Sequence, residues 1–162
     1  MSENNPLQCM VPAGELTTSE FRGWIMDVER SMVAHPTSVD RHVVNEHFGA
    51  KHTFTPGLYC REYRMAKDSL VISRIHMFEH PFIISKGDVS VYDGREVVRL
   101  KAPYQGITKP GTKRILYCHE DTIWTTFHVT DKTTIEELDP SGTVTCDTFE
   151  EYDKLILKEI AL

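Results

Sequence analysis

The chain has 162 residues, 40% of them apolar and 26% charged, with a formal net charge of −6. That length suits one domain able to bury its own core. The acidity argues against a nucleic-acid partner, and no apolar run approaches the roughly 20 residues of a membrane span.

Residues 1–16 read as an irregular arm punctuated by Pro6, Pro12 and Gly14. The arm lacks the basic start and apolar run of a signal peptide. Four widely spaced cysteines, Cys9, Cys60, Cys118 and Cys146, form no CxxC pair, which points to reduced thiols rather than a disulfide framework or zinc knuckle. The expected location is the cytoplasm, or a virion assembled there.

An amphipathic helix follows. Thr17 or Thr18 caps it, and Glu20 supplies its acidic first turn. Phe21, Trp24, Ile25, Val28, Met32 and Val33 recur at three- and four-residue steps before Pro36 ends the run. Residues 38–52 are ambiguous, with a short helix starting at Ser38 or Asp40, reaching His47 or Phe48 and closed by Gly49. The run His42-Val43-Val44-Asn45-Glu46-His47 is not a zincin motif, because its histidines are five apart and glutamate does not follow the first.

From Pro56 onward short β-rich runs alternate with turns. Candidate strands are Leu58–Arg64, Ser69–Met77, Pro81–Ser85, Asp88–Tyr92, Glu96–Lys101, Gln105–Lys109, Lys113–Cys118 and Thr122–Thr130. Strands this short and this evenly spaced predict a sandwich or closed barrel, not a parallel sheet with crossover helices. Thr133–Leu138 reads as a further helical turn. A C-terminal helix capped by Asp147 or Thr148 carries the apolar stripe Phe149, Tyr152, Leu155, Ile156 and Ile160. The plan is one domain over 17–162: helical over 17–52, barrel over 56–130, and helical again over 147–162.

Two stretches carry a family pattern. The first ends in Ser85-Lys86-Gly87-Asp88 and runs back through His80 and His76 to Arg74; the second is Lys109-Pro110-Gly111-Thr112-Lys113-Arg114, followed by Cys118. Together they resemble the paired motifs of the cupin superfamily over roughly residues 56–130. The resemblance implies a mainly β fold, a cupin or double-stranded β-helix (jelly-roll) barrel flanked by N- and C-terminal helices. In metal-binding members three histidines and a glutamate hold one divalent ion inside the barrel. His76 matches the second histidine. Arg74 and Arg114 stand where two others would be, His80 stands at the glutamate, and Cys118 where asparagine is frequent. Arginine has no lone pair to give a metal. The run from His76 to His128 is also similar to small cupin-like proteins of bacteria and their viruses.

Strand alternation places Ile72, Arg74 and His76 on one face, His80, Phe82 and Ile84 on another, Arg114, Leu116 and Cys118 on a third, and Trp124, Thr126 and His128 on the last. If these faces point inward, as the resemblance implies, His76, His80 and His128 converge and could hold Zn, Fe, Mn or Ni. Arg74 and Arg114, with Lys113 nearby, suit a small anionic ligand, because a planar guanidinium binds two oxygens at once. The competing reading is a metal-free scaffold in which Arg74 and Arg114 pair with Glu79, Glu62 or Asp121. Such a chain is a structural or interaction module, a homo-oligomer or a viral particle component. A sugar epimerase or isomerase is a third reading.

Overall fold

The computed structural model describes residues 5–39, 43–138 and 142–160. His42 and Asp40, the first four residues of the arm, and the last two of the C-terminal helix lie outside the described residues.

The arm is not wholly irregular. Asn5 accepts a hydrogen bond from the Leu7 N–H and caps a short helix α1 (Pro6–Met10), whose Leu7 is fully buried. Helix α2 (Thr18–Val33) starts at a capping box. Thr17 Oγ1 accepts from the Glu20 N–H, and the Glu20 carboxylate accepts from the Thr17 N–H. The ambiguous segment holds only a four-residue helix, α3 (Val44–His47), ended by Gly49 at φ +54°.

Strands begin at β1 (Lys51–Thr55), ahead of the expected start at Pro56, and continue with β2 (Leu58–Met65). The single strand expected over Ser69–Met77 is two, β3 (Leu70–Ile72) and β4 (Ile75–His76). The break falls at Ser73–Arg74, where Ser73 serves the neighbouring chain with three groups: its N–H donates to the Arg114 carbonyl, its hydroxyl accepts from the Arg114 N–H, and its carbonyl accepts from the Lys113 Nζ. Then come β5 (His80–Lys86), β6 (Asp88–Tyr92), β7 (Val97–Lys101), β8 (Tyr104–Thr108), β9 (Ile115–Cys118) and β10 (Thr122–Val129). Helix α4 (Ile135–Leu138), a two-residue strand β11 (Thr145–Cys146) and helix α5 (Phe149–Ile160) complete the chain.

Every pairing is antiparallel. One sheet has the order β1-β2-β10-β5-β8 and the other β3-β9-β6-β7, while β4 pairs with β11. Two antiparallel sheets flanked by terminal helices make the cupin-type jelly roll that the resemblance implies. Between the sheets Met65, Phe82, Ile84, Val89, Val91, Leu116, Cys118 and Trp124 pack as one cluster. A second cluster joins Leu7, Phe21, Ile25 and Phe149 of the helices to Tyr92 and Ile115 of the second sheet. The helices therefore cover one sheet from outside and leave the interior to the residues that face inward.

Gly87 shows how tightly the barrel end closes. Its φ is +104°, and a Cβ there would lie 2.7 Å from the Asp121 carbonyl oxygen and from Thr122 Cα. That is backbone against backbone, so no side-chain rotation relieves it.

Lys113 is 1% exposed and donates to Glu29 of α2 at 2.9 Å. Removing one partner of a buried pair leaves the other charge desolvated and alone. Glu29→Ala should lower stability by about 3–5 kcal/mol in urea unfolding, whereas Glu150→Ala, which breaks the exposed Glu150–Lys154 pair, should leave the urea midpoint unchanged.

Candidate functional site

Between the sheets lies a cavity of about 200 Å³. Its walls come from three places: the inward face of β1, β2 and β10; the run from Val71 to His76 with Arg114 and Leu116; and Ile135, Leu138, Val144 and Thr145 of the C-terminal segment. Strand register explains the contents. On β2 the residues Tyr59, Arg61, Tyr63 and Met65 share the inward face, and across β10 they pair with His128, Thr126, Trp124 and Thr122. His52 of β1 pairs with Arg61, and His80 of β5 pairs with Thr108 of β8.

Three of the expected histidines do meet. The rings of His76 and His80 have centroids 4.7 Å apart, and those of His80 and His128 are 4.2 Å apart. All three residues are buried, and His76 faces the cavity. His80 Nδ1 donates to the Phe78 carbonyl at 2.9 Å. A carbonyl only accepts, so Nδ1 carries the proton and Nε2 is left as a bare acceptor. That Nε2 is buried and finds no partner, and neither does His76 Nδ1. His128 Nε2 shares a hydrogen bond with Thr126 Oγ1 at 3.0 Å. Tyr59 stacks on His128 and shares a hydrogen bond with His52 Nδ1 at 2.7 Å. His47, by contrast, is exposed on α3, in another element from His52.

The expected cations separate. Arg114 is 8% exposed, and its guanidinium donates to Thr108 Oγ1 and lies over the Phe82 and Trp124 rings at 5.4 and 5.3 Å. Lys113, one residue earlier on the opposite face, points to α2 and is absent from the cavity wall. Arg74 reaches the rim, where its Nε donates to Asp147 at 2.9 Å, not to Glu79, Glu62 or Asp121. Glu79 instead pairs with Lys109, Glu62 with Arg64, and Asp121 accepts from the Lys67 N–H.

Arg61 is the cavity cation that motif spacing passes over. Its guanidinium lies 5.0 Å from the Tyr63 ring, and its Nε is buried without a hydrogen-bond partner. The alternation Tyr59, Arg61, Tyr63, Met65 was the signal that points it inward. Among the described residues, no carboxylate lies within ion-pair distance of Arg61 or Arg114, and no acidic side chain lines the cavity.

Burial pulls the Arg114 guanidinium down to about 10, which still leaves it charged at neutral pH. Burial, then the Arg114 charge, holds His76 well below the usual imidazole range. His80 is lowered mainly by burial, against the Phe78 carbonyl, which raises it. Burial, then Arg61, brings His128 down to about 2. The interior is thus two permanent cations beside three neutral imidazoles. Burial also pushes the Tyr59 phenol up to about 12.

Of the three histidines expected to hold a divalent metal, His76 and His80 each keep a buried nitrogen without a hydrogen-bond partner, while His128 Nε2 is engaged by Thr126. Among the described residues no carboxylate lines the cavity, and the Arg61 and Arg114 guanidiniums line it beside His76. Among the described residues, no group of three or more His, Cys, Asp or Glu is arranged to hold a metal ion.

No family model and no curated protein matches the chain. Among solved structures it is similar to a cupin superfamily protein from Desulfitobacterium hafniense, at 7% identity and TM-score 0.44 over 51% of this chain and 76% of that one. It is also similar to a cupin-2 domain containing protein from Shewanella frigidimarina, at 9% and 0.43 over 65% and 92%, and to KdgF from Halomonas sp., at 14% and 0.43 over 50% and 77%. The fold rests on strand order and register, not on these likenesses. Among the described residues, no helix is long and apolar enough to cross a membrane.

The imidazoles give the fold an acid limit. A histidine whose pKa is lower folded than unfolded contributes stability above the unfolded value near 6.5 and loses it as pH falls. Urea unfolding should therefore show constant stability from pH 8 to 7. Below about pH 6.5 a loss should set in of up to roughly 1.4 kcal/mol per pH unit for each histidine that stays neutral. The His128→Gln variant should show a shallower decline. A flat profile between pH 7 and 5 would contradict the buried neutral stack.

Proposed function

We propose that the protein is a ligand-binding barrel whose cavity takes a small anion on Arg61 and Arg114. The observation that carries this reading is Arg114: a buried guanidinium with a threonine hydroxyl and two aromatic faces for company, and no carboxylate within ion-pair distance among the described residues, Asp93 acting on it only from further away. Isolated buried charge is costly, and folded chains supply a counter-charge or a ligand for it. Arg61, with a buried Nε left open, adds a second donor set on the same cavity. Guanidinium groups suit carboxylate and phosphate oxygens because two parallel N–H groups meet two oxygens.

The remaining polar groups complement an anion rather than compete with it. His76 and His80 are neutral at physiological pH, so each carries one N–H and one lone pair, and the open Nδ1 of His76 can meet a second polar group on the ligand. Arg74 and Asp147, bonded to each other at the rim beside Thr145, tie the C-terminal segment across the cavity.

Thermal unfolding of the full chain with acetate, benzoate or inorganic phosphate tests the reading. At least one should raise Tm saturably. Arg114→Met, which keeps the side-chain volume and removes the charge, should abolish that rise. With no anion present the same variant should be as stable as the parent or more so, because it removes a buried unpaired charge. A parent that responds to none of the three anions, or a folded Arg114→Met that responds fully, would overturn the reading and leave a barrel with a scaffolding role.

A further inference from the structure

The chemistry of the walls narrows the ligand further, given the anion reading above. We propose that the natural ligand is a monocarboxylate carrying an apolar body about one ring long, not a phosphate and not a polycarboxylate.

Charge sets the first limit. Of the cations near the barrel, Lys113 is held by Glu29 and Arg74 by Asp147. Arg61 and Arg114 remain facing the cavity, and the neighbouring histidines are uncharged. Two guanidiniums match one carboxylate with its two oxygens. A second or third carboxylate would meet no further cation. A phosphate is served elsewhere by backbone N–H groups of glycine-rich turns or helix N-termini; among the described residues, no glycine lines this cavity.

The apolar floor sets the second limit. On three strands a polar residue is followed, two positions further from the histidines on the same face, by an apolar one: Arg61 by Tyr63 and then Met65, Thr126 by Trp124, and Arg114 by Leu116. Two residues of strand span roughly 7 Å. A carboxylate on the guanidinium band therefore projects its body onto Met65 and Leu116, past the Trp124 ring that lies beside Arg114. Val71, paired with Leu116 across the second sheet, closes the facing wall. One six-membered ring, or a chain of four or five carbons, fits that depth and the volume of about 200 Å³.

Calorimetric titration of the full-length protein with benzoate, cyclohexanecarboxylate, acetate, inorganic phosphate and citrate tests the inference. One of the two ring carboxylates should bind about tenfold or more tightly than acetate, the gain expected from burying an apolar ring, and phosphate and citrate should bind more weakly than acetate. Val71→Asn should cost the ring carboxylate about tenfold and leave acetate within about twofold. Acetate, phosphate or citrate binding as tightly as the ring carboxylates would overturn the assignment while leaving the anion site standing. Binding of none of the five would remove the anion site itself. The ligand series decides the matter even if Val71→Asn does not fold.

Discussion

The barrel is organised around Arg114, a buried charge with no carboxylate within ion-pair distance among the described residues. A guanidinium in an apolar interior is tolerated only if its donors and its field are satisfied. Arg114 obtains part of this from Thr108, from the faces of Phe82 and Trp124, and from a backbone pinned by Ser73. The proposed anion would supply the rest. The field of Arg114 also accounts for neighbouring chemistry, because together with burial it keeps His76 and His80 neutral.

Lys113 and Arg114 show how one strand-entry segment makes both structure and site. Neighbouring residues on extended chain face opposite ways. Lys113 turns outward and is buried under α2 against Glu29, so its charge is neutralised and anchors a helix. Arg114 turns inward, where among the described residues no carboxylate lies within ion-pair distance. Helices α1, α2 and α5 pack on the outside of the second sheet, which stabilises the barrel without filling it. The interior is then free to carry polar residues that a core alone would not use.

Much of this was legible in the sequence, for identifiable reasons. Helices α2 and α5 announce themselves by caps and three- and four-residue apolar spacing, and β6 and β10 by alternation between turns. Strand β11 could not be read, because two residues become a strand only when β4 lies beside them. Nor could β1, whose Lys-His-Thr-Phe-Thr carries little apolar contrast and takes its place from pairing with β2. Helix α1 is held by one fully buried leucine and an asparagine cap rather than by periodicity. In the site, His76, His80 and Arg114 were reachable from motif spacing and His128 from strand alternation. The carboxylate partners of Lys113 and Arg74, Glu29 and Asp147, are distant in sequence and could not be read from it. Arg61 lies outside both motifs, and only the register of β2 against β10 brings it to the same cavity as Arg114.

A crystal structure of the chain grown with benzoate, and without chelating or metal additives, examines the central claim most directly. The account predicts a carboxylate bridging the Arg61 and Arg114 guanidiniums, with the ring against Met65 and Leu116. A metal ion on the His76 and His80 nitrogens, or a cavity in which Arg114 is neutralised by a carboxylate of the chain itself, would contradict it.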